Sequence, residues 1–420
     1  MMSDALSFAP TTLMMKATIQ LIAMCMGACG LAYAQAPSRA AEIEAARTQK
    51  ELSLKPQVDP KWQSRVERIE SSIPYRLLGS NLNGLGVSFG NVVPGSGFAA
   101  GLQYKRNDLW GERLTASVSA RTTMNKSYIG QLELSVPQLF RGWAFMDFTA
   151  THRNISQMPY YGAGPESVKD GRSNYRLEDT NVELRPGVRI FKGLRAAAIG
   201  SWLAVNTGAG NSSRFISSEL QYGPETAPGI DRQAKFWRGG GLIEYDWRNR
   251  ASSSDATSGG KYEAQFIRYL ATGNSPNSFL RLDINAEQYI PLFNHTRVVA
   301  LRGASSLTTT RPTEVVPFYL QPTLGGPQTL RGYRFNRFYG NNSTMVSGEY
   351  RWHASPLLQV VAFADAGKVF NKWEHWNFHD LESAVGFGFR FRGQRSVAFS
   401  VDTGFSHEGF QIWFRMNSAR

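Results

Sequence analysis

The side chains that could do chemistry together are few, and they lie in the last quarter of the sequence. In segment 343–353, strict alternation puts Ser347, Glu349, Arg351 and His353 on one face, with Val346, Gly348, Tyr350 and Trp352 on the other. In segment 357–367, Gln359, Phe363 and Asp365 share one face, and Val360, Ala362 and Ala364 share the opposite one. If the two segments are neighbouring strands, Glu349 and Asp365 stand close enough to repel. A cation between them removes the repulsion, and the planar fork of an Arg can serve both carboxylates at once. That chemistry fastens rather than catalyses. No G-x-S-x-G, H-E-x-x-H, phosphate-binding loop or C-x-x-C occurs. His375 and His379, an i, i+4 pair beside Trp373 and Trp376, read as loop residues rather than a metal site. No catalytic residue, metal or cofactor is expected, and the chain is read as not an enzyme.

The elements that must hold these residues are strands. Period-two alternation recurs in 146–151, 280–287, 385–392 and 410–415. Sixteen such segments fit between 84 and 417, each about 9–14 residues, the length that crosses a bilayer at a tilt. Their polar faces carry Arg, Asp and Glu, which suits a wet lumen; their apolar faces carry Phe, Leu, Val and Tyr, which suits lipid. Short connections such as 191–193, 291–295 and 354–356 alternate with long ones at 156–175, 208–235 and 310–342. One turn breaks the rule. Residues 248–260 lie on the short-turn side, yet form a longer Ser/Gly-rich stretch around Asp255.

The fold expected is therefore all-β, a 16-stranded antiparallel transmembrane barrel over 82–417, integral to a bacterial outer membrane. Composition agrees. Gly numbers 40, aromatics make 12%, and only 19% of residues are charged, below the roughly 25% usual in soluble domains. Beyond the N-terminus no apolar run is long enough for a helical span. The net charge of +13 fits phosphate-bearing lipid or a merely solvated basic surface. For an exported barrel the partners expected are outer-membrane lipids, including lipopolysaccharide, and no nucleic acid.

Export is read from the N-terminus. Lys16, the apolar stretch 21–31 and Ala32-Tyr33-Ala34 have the order of a secretory signal peptide. The cut is expected after Ala34, so Cys25 and Cys29, the two cysteines of the chain, leave with the signal. Residues 35–81 then form a short extension: either two helices joined by a linker with Pro56 and Pro60, or a solvated leader.

The stretch 316–370 carries more specific information. It contains Leu330-Arg331-Gly332-Tyr333 and, further on, Phe363-x-Asp365-x-Gly367. In both, the sequence resembles the bacterial surface antigen barrels, the superfamily of BamA, TamA and the two-partner-secretion transporters. Those proteins carry the first motif in the long extracellular loop after strand eleven and the second on strand thirteen, and the alternation count puts both in the same places here. Gly409, Ile412 and Phe414 are similar to the C-terminal signal by which barrels are recognised for insertion.

The resemblance implies that the long loop folds back into the lumen, where Arg331 would meet Glu349 and Asp365. It implies a role in inserting or translocating protein, or lipid, at the outer membrane, and a need for the barrel-assembly machinery in the protein's own insertion. A passive pore or purely structural barrel is the alternative. Most members carry periplasmic POTRA domains, and 35–81 is too short for one. We therefore expect 35–75 to act at the periplasmic mouth as a plug or docking helix, because Trp62, Val66 and Ile69 would form one helical face. Deleting residues 37–70 while keeping the signal should raise single-channel conductance and drug sensitivity; unchanged conductance in a folded deletion would reduce the segment to a tether.

Overall fold

The computed structural model describes residues 84–416, apart from 95, 250–252, 274, 294–295 and 393–396. The expected signal peptide and the extension 35–81 lie outside the described residues. Strands of one large antiparallel sheet make up most of the described chain. The first are β1 (Leu85–Gly90), β2 (Ala99–Asp108), β3 (Leu114–Thr123), β4 (Tyr128–Leu139) and β5 (Ala144–Tyr160). Next come β6 (Ser173–Phe191), β7 (Leu194–Ala209), β8 (Lys235–Asp246), β9 (Gly259–Ala271), β10 (Phe279–Leu292) and β11 (Arg297–Thr310). The connection after β11 contains a small ladder of β12 (Thr323–Leu324) with β13 (Phe338–Tyr339). The sheet resumes with β14 (Asn342–His353), β15 (Leu358–Phe370), β16 (Glu382–Arg392), β17 (Val397–Ser406) and β18 (Gly409–Met416).

Leaving out β12 and β13, sixteen strands pair in chain order, each with the next. The sheet is a nearly closed barrel, as the alternation requires. Leu102, Val118, Leu270, Val346, Trp352, Phe387 and Phe414 are exposed on the outer wall, where lipid replaces water. The inner wall is ionic: Arg153 meets Asp179 at 2.7 Å, and Arg195 and Lys261 meet Glu244 at 2.7 and 3.0 Å. Trp110, Phe140, Trp143, Phe191 and Phe293 stand exposed at the short-turn end, the aromatic girdle of a membrane interface.

Two differences from the sequence reading have physical reasons. β5 and β6 run on to Tyr160 and back from Ser173, where a loop over 156–175 is expected. There the strands pair with each other beyond the bilayer, so no lipid face imposes alternation. Instead Tyr160 packs edge-on against Phe318 and Tyr339, with ring centroids 5.0 and 4.9 Å apart, in an aromatic cap over the lumen. Gly84 lies before β1, in a left-handed turn at φ +94°, rather than inside the strand.

A barrel closed by backbone hydrogen bonds resists detergent until heated. Unheated samples should migrate faster on gels than boiled ones; equal migration, with recovery in the soluble periplasm, would overturn the architecture.

Candidate functional site

The connection 311–341 leaves the long-connection end and enters the lumen. Leu330, Arg331 and Tyr333 are all buried against the inner wall of the barrel's last five strands. Asp365 on β15 takes Arg331 as a fork: Nε donates to Oδ2 at 2.8 Å and Nη2 to Oδ1 at 2.6 Å. The third arm, Nη1, donates to Glu349 Oε1 on β14 at 2.5 Å. The Arg331 backbone N–H also donates to Asp365, at 3.1 Å. Below the guanidinium lies the Phe363 ring, its centroid 3.5 Å from Cζ. The aromatic residue of the strand motif is thus a cation–π platform for the charge of the loop motif.

Register explains how one guanidinium reaches both acids. Ser347 lies opposite Asp365, and Glu349 opposite Phe363, so the two carboxylates are diagonal neighbours rather than a facing pair. The Ser347 hydroxyl fills the gap, donating to Asp365 Oδ1 at 2.7 Å and accepting from Arg331 Nη2 at 3.2 Å. Arg331 is joined at this site by two further cations. Arg351 Nε donates to Glu349 at 2.7 Å, and Arg390 Nη2 from β16 reaches both its oxygens at 3.0 Å. Glu349 is the hub.

The flanking motif residues set the depth of the loop. Gly332 is pressed on the wall so closely that an added Cβ would lie 2.8 Å from the Ala384 Cβ and from the Phe405 carbonyl. Leu330 and Tyr333 pack with Leu324, Phe338, Met345 and Val369. Tyr333 donates its hydroxyl to Glu382 at 2.6 Å. Burial, and then the neighbouring Glu382 carboxylate, push this phenol up, so it stays protonated and keeps donating. On β15, Gly367 lets the backbone of Thr344 approach to 2.7 Å of where a Cβ would stand.

The last strands hold the loop as well. Trp413 Nε1 on β18 donates to the Arg331 carbonyl at 2.8 Å, and Ser406 Oγ donates to the Gly332 carbonyl at 2.9 Å. Arg337 Nε donates to both carboxylate oxygens of Glu408, between β17 and β18, at 2.8 and 3.1 Å. Gly409 opens β18 at φ +118°. Ile412 and Phe414 are exposed on the outer wall, so of the C-terminal signal residues none fastens the loop.

With this arrangement in view, the Omp85 superfamily domain is found to match residues 109–400, most of the barrel and the whole cluster around Glu349. The chain belongs to the Omp85 superfamily. No curated protein matches it in sequence. Among solved structures it is similar to BamA from Haemophilus ducreyi lacking POTRA domains 1–3, at 14% identity and a TM-score of 0.57, over 80% of this chain and 70% of that one. It is also similar to CdiB from Escherichia coli, at 14% identity and a TM-score of 0.50, over 79% of this chain and 60% of that one. At such identity the likeness is one of fold. As an Omp85 barrel the protein is integral to the bacterial outer membrane, with its long connections outside and its short turns in the periplasm.

Sequence reasoning missed Arg390 and Trp413 in this Omp85 site. Both had a signal: each stands on the lumen face of its strand, and an inward Trp needs a partner for its N–H. Breaking a buried ion pair from one side leaves a bare charge, an effect of about 3–5 kcal/mol. Arg331→Ala strands the wholly buried Asp365 side chain, so we expect a loss in that range in barrel unfolding, with loop 311–341 becoming cleavable from outside. Arg331→Lys keeps the charge without the fork and should fall between. Unchanged stability and protection in Arg331→Ala would remove the cluster from its role.

Proposed function

We propose that this Omp85 barrel inserts or translocates polypeptide at the outer membrane by parting between its first and last strands, with loop 311–341 as the internal brace that keeps the seam in order. One observation carries the reading. Among the described residues no hydrogen-bonded pairing joins β1 to β18. These are also the shortest barrel strands, at 6 and 8 residues. β1 contains Gly86 and Gly90, and glycine weakens a strand interior. Two unpaired edges facing each other in a bilayer are costly to leave bare. An incoming strand that pairs with either edge would satisfy them, and strand addition of this kind gives affinity without demanding sequence.

The brace fits the same reading. Among the described residues β18 has no hydrogen-bonded neighbour on its seam side, and it is fastened inward by Trp413 and through Glu408. A passive pore would gain nothing from an unpaired seam. Outer-membrane lipid, lipopolysaccharide included, is the surrounding partner we propose, and the barrel-assembly machinery is what we propose inserts the chain itself.

Photo-crosslinkers placed in intact cells at Val87 on β1, and at Ile412 and Phe414 on β18, test this directly. Discrete adducts with exported or outer-membrane polypeptides, lost when β1 and β18 are joined by a disulfide, are the expected result. Adducts with lipid alone, from barrels that are folded and free to open, would favour the structural barrel.

A further inference from the structure

The periplasmic turn between β8 and β9 is the exception to the short-turn rule, and its described part, 253–258, folds inward across the periplasmic end of the lumen rather than standing out from it. It is tied to strands far from those that carry it. Ser253 Oγ donates to Glu287 Oε2 on β10 at 2.8 Å. The Ser253 carbonyl accepts from Arg351 Nη1 on β14 at 2.8 Å. Asp255 meets Arg392 on β16 at 3.3 Å. A segment hung on β8 and β9 can reach lumen residues of β10, β14 and β16 together only by crossing the interior of the barrel.

It is also seated. Asp255 is 3% exposed and Ala256 1% exposed, and Ala256 packs with Tyr289, Val298 and Ala300 of the inner wall. The turn is shaped for this at its root. Arg248, bound to Asp246 at 2.6 Å, donates to Ser253 Oγ at 2.7 Å. Asn249 closes the return, its side chain accepting from Thr257 N at 3.0 Å and from Ser258 N at 3.2 Å. An exposed flexible loop has no use for such a set of internal ties.

We infer that residues 253–258 are an inner plug, a second barrier in the lumen that enters from the periplasmic side and meets the outer loop at a common hub. Arg351 is the contact point: it holds the Ser253 carbonyl with Nη1 and Glu349 with Nε, and Glu349 holds Arg331. A run of hydrogen bonds and ion pairs therefore links the inward turn to the outer loop. Two barriers in series give a distinctive signature, because removing either leaves the other to limit flow. The inference does not depend on what the seam admits.

The test is conductance of the purified full chain in planar bilayers, with faster migration of unheated samples as the check on folding. In one variant, residues 250–257 are replaced by Asn-Gly. A two-residue hairpin turn can close there, because Asn249 N already donates to Ser258 O across the turn at 3.1 Å. In a second, Ala256→Arg forces the turn from its apolar seat without shortening the chain. Each alone should raise conductance modestly. Combined with Arg331→Ala, each should raise it severalfold, beyond the sum of the two single effects. If the folded combinations conduct no more than Arg331→Ala alone, the turn is no barrier and the inference fails. A crosslinking result that removes the polypeptide role of the seam would leave this measurement standing.

Discussion

The course of the inward loop depends on placing the Arg331 guanidinium where water scarcely reaches. Burying a charge is expensive unless its partners are in place, and near neutral pH an Arg has no neutral form to retreat to. Here all three nitrogens are engaged, on Asp365, Glu349 and Ser347, and the cation's face rests on Phe363. The loop can satisfy this set in one register only. A shift by one residue would carry Gly332 off a patch of wall that tolerates no Cβ, and would leave two carboxylates close together and unneutralised. One ion cluster thereby fixes where the whole connection 311–341 lies.

The consequence for the wall is mutual. Among the described residues, fourteen of the sixteen strands are hydrogen-bonded on both sides; β1 and β18 are not. β18 keeps its place through β17, through Trp413 on the Arg331 carbonyl and through the Arg415–Asp402 pair on the inner face. The loop holds the strand as the strand holds the loop. Unlocking Arg331 would loosen the edge where the sheet is already open, so the energetics of the lumen and of the seam cannot be separated.

The strands were legible because lipid outside and water inside impose opposite demands on successive residues, and that contrast is written in any crossing segment. Val346, Tyr350 and Trp352 against Ser347, Glu349 and Arg351 is one clear case. Beyond the bilayer the contrast ends, which is why the paired extensions up to Tyr160 and from Ser173 read as loop. The site was legible where a motif named it. Arg390 was legible only as a lumen-face residue, because its contact with Glu349 is made across β15 and depends on how far the side chain leans, which no single-strand pattern records. Trp413 was hidden differently: the apolar signal of Phe410, Ile412 and Phe414 draws attention to the lipid face of the same strand. The turn around Asp255 was visible as an anomaly of length, but Ser and Gly give no hint of an inward course; that needs Arg351 and Arg392, which lie far along the chain.

The kind of filling matters as much as its presence. A barrel of this strand number is too wide for its own side chains to close. A plug held by apolar packing alone would be expelled only against the whole of its buried area. Here apolar packing around Phe318 and Tyr339 is joined by ionic and hydrogen-bonded ties centred on Glu349, whose strength rests on exclusion of water. Charges at contact distance that attract strongly in a dry interior interact by only about 1 kcal/mol in bulk water. Wetting the cluster from any side would therefore weaken all of its bonds together, whereas each resists while the rest are dry. A lumen closed in this way is firm at rest and yields as a unit, which is what a wall with one unpaired seam requires of the contents that brace it.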